Sequence, residues 1–206
     1  MAGKGQREAN KLKRMQDIVS AAAGLFAERG YEQTKIEDIA AAAGVSPATV
    51  YNHFGTKGAI LTAVAGRDLE SVLGAAEEAF DPSASSAVDV LMPVIDVYIG
   101  FTVGLGKDLL KEILRAGFDP AASEMLIELV SLDEALVRQI GGLLGRMQEA
   151  GLVSRSLDLT AASLLVYSVL AGAMIWFVSV PEMEPAGVRA HLRTQLAIVF
   201  DGIAAK

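Results

Sequence analysis

Helix start and stop signals lie close together in residues 34–61, which read TKIEDIAAAAGVSPATVYNHFGTKGAIL. Thr34 is followed three residues later by Glu37, which is the spacing of a capping box. The next apolar positions recur at helical spacing, and Gly44 has the backbone freedom to end the helix about two turns later. The sequence therefore predicts a short first helix that begins near Lys35.

A second set of signals follows at once. Ser46 predicts a helix N-cap, and Pro47 fits the first helical position because the amide it lacks would be unpaired there anyway. Gly55 ends this second short helix, and Thr56 predicts the cap of a third helix with Lys57 in its first turn. Two short helices joined by a tight turn place the second helix in the major groove of DNA.

The same stretch resembles the DNA-binding motif of the tetracycline-repressor (TetR) family of bacterial transcription regulators. The matching residues are Gly44-Val45-Ser46, Thr49-Val50-Tyr51, His53-Phe54 and Lys57, with Tyr31 and Thr34 upstream. The family pattern covers roughly residues 11–70, and Gly58 departs from it because an acidic residue is more usual there. The resemblance implies an all-α protein with an N-terminal three-helix helix-turn-helix DNA-binding domain in residues 1–70. A larger helical effector-binding and dimerisation domain would occupy residues 71–206.

The predicted DNA contacts follow from the chemistry of the side chains in the motif. Hydroxyl, imidazole and ammonium donors are suited to phosphates, and those predicted to bind them are Thr34, Lys35, Tyr51, His53 and Lys57. A methyl group can meet thymine and an amide can pair with adenine, so Ala48, Thr49 and Asn52 are predicted to contact base edges. Ser46 completes the predicted DNA-binding set.

The charge of the chain is unevenly distributed. The net charge is −7, yet residues 1–67 hold nine Lys and Arg against six Asp and Glu, which gives +3. The remaining residues hold nine basic and nineteen acidic residues, which gives −10. Only the N-terminal part is therefore expected to be attracted to phosphate. A basic arm precedes the motif, and it is either a solvated terminus or a phosphate or minor-groove contact; its cations are Lys4, Arg7, Lys11, Lys13 and Arg14.

Helical periodicity continues through the rest of the chain, and no period-2 alternation long enough for a strand is present. The predicted helices run from about Lys11 to Arg29, Lys57 to Phe80, Ala84 to Leu105, Lys107 to Gly117, Ala121 to Ala150 with a break near Ser131-Leu132-Asp133, Leu159 to Val180, and Pro185 to Ala204. Glycines inside a helix cost stability, so three of them predict close packing of another helix; they are Gly141, Gly142 and Gly145.

The segment Leu159–Val180 carries no charge over 22 residues and is long enough to span a bilayer. It lacks basic residues close to its ends, which favours a buried subunit interface over a membrane span. Together with the last helix it resembles the dimer-forming pair of the family. Two such pairs would form a four-helix bundle about a twofold axis, which implies a homodimer on a palindromic double-stranded DNA operator.

The resemblance also implies a small-molecule effector among the central helices. Few charges lie near the candidate aromatic and Met residues, so a largely apolar effector is expected. The predicted lining consists of Tyr98, Phe101, Phe118, Met125, Tyr167 and Trp176.

Enzymatic function is not supported by the residue types present. The chain has two histidines and no cysteine, and it contains no phosphate-binding loop, nucleophile elbow or metal-spaced histidine pair. No catalytic residue, metal site or cofactor is predicted. The sequence thus favours a cytoplasmic, ligand-responsive DNA-binding regulator, most simply a repressor. A helical membrane protein with a DNA-binding head and an architectural DNA-binding protein without an effector remain alternatives.

Overall fold

The computed structural model describes residues 2–81, 83–117 and 123–202, and this part of the chain is helical without strands, which confirms the all-α prediction. Ten helices occur in it: α1 (Ala2–Arg29), α2 (Ile36–Ala42), α3 (Pro47–Phe54), α4 (Lys57–Gly66), α5 (Leu69–Glu78), α6 (Ala87–Leu105), α7 (Lys107–Gly117), α8 (Ser123–Glu149), α9 (Leu159–Ser179) and α10 (Pro185–Asp201).

The helices form two compact units. The first unit consists of Met1–Asp68 and Asp108–Leu129, and the second consists of Leu69–Lys107 and Val130–Lys206. The first division lies close to the predicted boundary at residue 70, but most of α7 belongs to the first unit rather than to the second. Leu109 and Ile113 of α7 pack against the core of the first unit, and this long-range contact leaves no signal in the local sequence.

The core of the first unit joins α1 to the three short helices that follow it. α1 packs against α2 and α4, and α3 packs against both of these helices. The buried apolar side chains of this core include Ile18, Ala22, Phe26, Ile39, Val50, Ile60 and Leu61. Burial of one such side chain contributes about 1.5–3 kcal/mol, so this core holds the two short helices in place even though short isolated helices are marginal in water.

The predicted helix caps are confirmed for α3 and α4. Ser46 Oγ accepts a hydrogen bond from the Thr49 amide at 3.2 Å, and Thr56 Oγ1 accepts one from the Ala59 amide at 3.1 Å. Gly44 has a φ of 66°, which lets the chain leave α2 through the left-handed region.

The predicted cap of α2 is wrong. Lys35 is the N-cap residue, and its amide donates to the Asp38 carboxylate at 3.2 Å. The Thr34 side chain is buried, and its hydroxyl donates instead to the carbonyl oxygens of Gly30 at 2.8 Å and Leu25 at 3.3 Å. Thr34 therefore fixes the start of α2 against the end of α1, because its hydroxyl finds carbonyl acceptors there.

Lys57 joins the beginning of α4 to the turn between α1 and α2. Its ammonium donates to the carbonyl oxygens of Tyr31 at 2.9 Å, Thr34 at 3.2 Å and Glu32 at 3.5 Å. The same ammonium lies 4.2 Å from the centroid of the Tyr31 ring, which adds a cation–π contact. We call this arrangement the Lys57 clasp.

Three helix boundaries differ from the sequence prediction. α1 begins at Ala2 rather than near Lys11, so the basic arm is helical. The helix predicted from Lys57 to Phe80 is divided, since α4 ends at Gly66 and a turn at Arg67 and Asp68 precedes α5. α8 runs unbroken past residues 131–133, because no proline or glycine interrupts it there.

Ion pairs between α6 and α10 explain two acidic residues in the otherwise apolar α6. Arg189 Nε lies 2.7 Å from Asp96 Oδ1, and Arg193 Nη2 lies 2.6 Å from Asp89 Oδ1. The Arg193 guanidinium, followed by the Ser86 hydroxyl, lowers the pKa of Asp89 below its ordinary value.

The glycines of α8 only partly reflect close packing. A Cβ atom added at Gly141 would lie 3.1 Å from Ser163 Oγ on α9, so the two helices approach closely there. A Cβ at Gly145 would meet Leu159 at the ordinary distance of 3.8 Å, and one at Gly142 would have no neighbour within 4 Å among the described residues. The prediction is confirmed at Gly141 and is not met at Gly142 within the described part of one chain.

Among the described residues, α6 and α9 are long and apolar enough to cross a membrane by length and composition. The two acidic residues of α6 are paired with α10, as described above. In α9, only 28% of the apolar window is buried within the chain. Much of the apolar surface of α9 is therefore not buried by the described residues of the chain.

The Lys57 clasp predicts that Lys57→Met reduces the stability of the first unit. The variant keeps an apolar side chain of similar length but removes the charged donor, leaving three carbonyl groups without this partner, at a cost of about 1–2 kcal/mol. Urea unfolding followed by far-ultraviolet circular dichroism measures the loss. Lys13→Met, which changes an exposed lysine of α1, is the control, and equal midpoints for the two variants would contradict a stabilising clasp.

Candidate nucleic-acid interface

α3 presents one solvent-exposed face. Pro47, Ala48, Tyr51 and Asn52 are exposed, and they recur three and four residues apart as one side of a helix requires. Val50, on the opposite side, is fully buried in the core of the first unit. The exposed face is uncharged, and it carries a methyl group, a phenol and an amide.

The residues predicted to contact base edges lie on or beside this face. Ala48 and Asn52 lie one helical turn apart on it. Thr49 is half-buried, and its hydroxyl lies 2.9 Å from Ser46 Oγ, so the two hydroxyls are paired at the start of α3. Ser46 is exposed but caps the helix. Ala48 and Asn52 do not cap a helix in the described residues.

The residues predicted to bind phosphate are placed differently from one another. Tyr51 is 49% exposed, and Lys35 is exposed at the start of α2. His53 is half-buried near the end of α3. The ammonium of Lys57 is engaged in the clasp, so a phosphate would have to replace one of its three carbonyl partners.

Thr34 is a correction to the predicted site. It is 1% exposed, and its hydroxyl is committed to two carbonyl groups at the end of α1. Its hydroxyl therefore cannot reach a phosphate as the sequence analysis expected. Pro47 was not predicted as part of the site, although its position at the first turn of α3 indicates that it belongs to the exposed face.

Those residues of the predicted effector pocket that the structure describes are not gathered in one cavity. The Tyr98 hydroxyl donates to Gln139 Oε1 on α8, and burial, followed by the charge of Glu77, raises the pKa of Tyr98 to about 12. Trp176 is 40% exposed and packs against His191 with ring centroids 4.4 Å apart and ring planes tilted by 56°. Phe101 is half-buried in α6. Phe118 and the side chain of Met125 lie outside the described residues.

Tyr167 lines an open cleft between α8 and α9. The cleft has a volume of about 330 Å³, and it is bordered by Val130, Asp133, Glu134, Val137, Arg138, Leu164 and Tyr167. Burial and a hydrogen bond to Asp133 raise the pKa of the Tyr167 phenol above its ordinary value. The position of Asp133 and Glu134 beside Tyr167 depends on the packing of α8 on α9.

A second cavity in the same unit is far smaller. Its volume is about 10 Å³, which is roughly the minimum for one water molecule. It is lined by apolar residues of α6, α9 and α10 together with Thr102. Within the described residues, no group of three His, Asp or Glu side chains is arranged to hold a metal ion.

Comparison with known proteins adds an independent line of evidence. Residues 18–64 match the model of the family described as bacterial regulatory proteins, tetR family. An HTH-type transcriptional repressor of Mycobacterium tuberculosis is 51% identical over 47 residues, which cover 23% of this chain and 25% of that protein. The chain thus spans about a quarter of the length of the curated relatives it matches.

Solved structures match over nearly the whole chain. A TetR-family transcriptional regulator from Pectobacterium atrosepticum has a TM-score of 0.73 at 19% identity, covering 96% of this chain and 97% of that one. The TetR-family repressor FadR of Thermus thermophilus, solved with lauroyl-CoA, has a TM-score of 0.72 at 22% identity, covering 93% and 96%. At these identities the matches show a shared fold. Residues 18–64 therefore belong to the DNA-binding region of the tetR family of bacterial regulatory proteins, and the chain as a whole shares the fold of TetR-family regulators.

Proposed function

We propose that this regulator is a homodimeric, cytoplasmic repressor that binds a palindromic operator and is released by a small-molecule effector. The observation that carries the proposal is the uncharged, exposed face of α3, held by the Ser46 cap and the buried Val50. A rigid helix with exposed methyl and amide groups on one side is suited to reading base edges in the major groove. The matched relative from Mycobacterium tuberculosis bears the name of a repressor, which supports repression over activation.

In this proposal the exposed residues of the first unit divide into two roles. Asn52 pairs with an adenine and Ala48 contacts a thymine methyl, and these contacts supply sequence preference. Tyr51, His53 and Lys35 contact phosphates and fix the register of α3 on the duplex. Lys57 and Ser46 support α3 mainly through the clasp and the cap.

The proposed dimer uses the exposed surfaces of α9 and α10. Nine large hydrophobic side chains are at least 40% exposed in the described residues, and five of them lie on these two helices. The five are Leu164, Leu165, Ile175, Trp176 and Ile198. Leu164 also borders the cleft between α8 and α9, so the proposed dimer surface is formed by the other four. α9 carries no charged residue, and the polar groups on its exposed side are few.

A second copy of the chain is the occupant that this surface fits best. The exposed residues of α9 follow one helical stripe that includes Leu165, Ser168, Gly172 and Ile175. Among the described residues, a Cβ at Gly172 would have no neighbour within 4 Å, so this part of the subunit gives no packing reason for a glycine there. Association about a twofold axis would bury both stripes, and it would present two copies of α3 to a palindromic site.

The proposed effector site is the cleft between α8 and α9. Its volume of about 330 Å³ falls at the lower end of small-molecule sites. Three apolar side chains line it beside the charged Asp133, Glu134 and Arg138. This lining favours a small molecule with both an apolar and a polar part over the largely apolar effector expected from the sequence. Release of DNA requires that the effector bind more tightly to the state with low DNA affinity.

Two alternatives make different predictions. A membrane protein with a DNA-binding head would use α9 as a span and would require detergent for solubility, whereas a dimer buries the same surface in water. An architectural protein without an effector would bind DNA with little sequence preference and without response to small molecules. Solubility without detergent and a selected DNA sequence together exclude both alternatives.

Asn52→Ala and Tyr51→Phe form a matched test of the two proposed roles. Loss of a bidentate amide contact costs about 1–3 kcal/mol at the base that it reads, so Asn52→Ala should relax preference at one position of each half-site. Tyr51→Phe removes only a hydroxyl and should weaken binding to all sequences by a similar factor. Affinities for a set of single-base operator variants, measured by fluorescence anisotropy, separate these outcomes. Unchanged sequence preference in Asn52→Ala would contradict the assigned reading face.

Leu165→Glu tests the dimer surface. A carboxylate in the centre of an apolar interface would be desolvated without a partner, which is strongly unfavourable, so the variant should sediment as a monomer and bind the operator at least tenfold more weakly. Leu12→Glu, at a position 58% exposed on α1, is the control and should remain dimeric. Analytical ultracentrifugation measures the oligomeric state of the two variants, and a dimeric Leu165→Glu variant would contradict the proposed interface.

A further inference from the structure

The positive charge of the N-terminal part lies almost entirely ahead of the helix-turn-helix. Residues 1–14 hold five Lys and Arg and one Glu, which gives +4. Residues 15–67 hold four Lys and Arg and five Asp and Glu, which gives −1. The segment that contains α2, α3 and α4 is therefore not basic overall, although electrostatic attraction to phosphate dominates the affinity of proteins for DNA.

Most cations of residues 15–67 are also engaged within the chain. Arg29 lies 3.4 Å from Glu28, and Arg67 Nη2 lies 2.8 Å from Asp68 Oδ2. The ammonium of Lys57 is held by the clasp. Lys35 is the remaining cation, and it is exposed. A single unpaired lysine in each subunit would contribute little to the electrostatic affinity for a DNA duplex.

The N-terminal half of α1 supplies a basic stripe that no contact within the described residues uses. Arg7, Lys11 and Arg14 recur at spacings of four and three residues, so they fall within roughly 60° of one another around a helix with 100° per residue. Side chains from Gly5 to Arg14 are exposed, and the core of the first unit begins only at Ile18. We call these three residues the α1 stripe.

The direction of the α1 stripe follows from the helix register. Ile18 and Ala22, which face the core, lie on the same side of α1 as Lys11, at spacings of seven and eleven residues. The stripe therefore extends the core-facing side of α1 beyond the end of the core. Lys13 lies about 120° away from Arg7 on the same helical geometry, so it points to another side.

The homeodomain, another three-helix DNA-binding domain, offers a comparison for this segment. Its N-terminal arm, ahead of the first helix, reaches the minor groove adjacent to the major groove that the recognition helix occupies. Here that chain is itself helical, and a helix about 10 Å wide is too thick for a minor groove roughly 6 Å wide. It would therefore lie across the groove and meet the phosphates on its edges.

We infer that the α1 stripe, Arg7, Lys11 and Arg14, binds the phosphates that flank each half-site of the operator. The inference rests on the proposed function and adds a second DNA contact outside the helix-turn-helix. The contact is independent of base sequence, so it supplies affinity and leaves specificity to α3. It also places the strongest positive charge at the end of the domain that meets flanking DNA.

Lys11→Gln and Lys13→Gln are a matched pair for the test, since each removes one positive charge from exposed α1 and glutamine retains helix propensity. Each substitution occurs twice in a dimer, so loss of the contact should reduce the slope of log affinity against log salt by about 1.8. Between 50 and 200 mM salt, the wild type should then lose roughly tenfold more affinity than Lys11→Gln. Lys13→Gln should match the wild type.

The duplex itself provides a second arm of the experiment. The full-length protein is titrated with an operator carrying ten flanking base pairs on each side, with the same operator trimmed to its half-sites, and with a random duplex of equal length. The wild type should lose affinity on trimming, whereas the triple variant Arg7→Gln, Lys11→Gln, Arg14→Gln should bind both operators alike. Circular dichroism checks that the variants keep their helical content.

The outcomes separate the inference from the proposed function. Equal salt slopes for Lys11→Gln and the wild type on the operator, with preference for operator over random duplex retained, would overturn the inference alone. Equal reductions of the salt slope in Lys11→Gln and Lys13→Gln would overturn the assignment of the stripe. The slope would then depend on the total charge of α1 and not on the position of the lysine. A wild type with no preference for operator over random duplex would contradict the proposed function. It would also contradict the inferred contact, because a contact that flanks a half-site requires a specific half-site.

Discussion

The orientation of α3 depends on how the two ends of the helix-turn-helix are fixed, and the Lys57 clasp fixes one of them. The ammonium binds carbonyl groups of the turn between α1 and α2, while Lys57 itself is the first residue of α4. The turn that precedes α2 and the helix that follows α3 are thereby joined by one side chain. Val50 then anchors the buried side of α3 in the core, so the opposite side must face solvent.

In the proposed function, affinity, specificity and assembly belong to different surfaces. The exposed side of α3 is uncharged and carries groups suited to base edges, whereas free positive charge is concentrated on the N-terminal half of α1. The exposed side of α9 has no charge and few hydrogen-bonding side chains, and it is suited to a second copy of the chain. Separation of these surfaces allows each property to change without loss of the others.

Features that depend on neighbouring residues were predictable from the sequence. Ser46 and Thr56 cap their helices as expected, because a cap needs only a side chain and amides two or three residues away. Thr34 follows the same local pattern, yet its hydroxyl binds carbonyl groups of α1 that come close only in the folded unit. The position of α7 in the first unit likewise depends on contacts of Leu109 and Ile113 with residues far away in the sequence. The candidate effector residues that the structure describes do not share a cavity, because aromatic side chains on different helices pack with different partners, such as Tyr98 with Gln139 and Trp176 with His191.

In the proposed function, a dimer of this chain reads a specific palindrome through α3. Selection of bound duplexes from a random pool, with the purified protein at moderate salt and without detergent, tests whether it does. We expect enrichment of an inverted repeat, with half-site centres separated by roughly one helical turn of DNA or a similarly regular spacing. Enrichment of a single unrepeated site, or of no sequence at all by a folded and soluble protein, would contradict it.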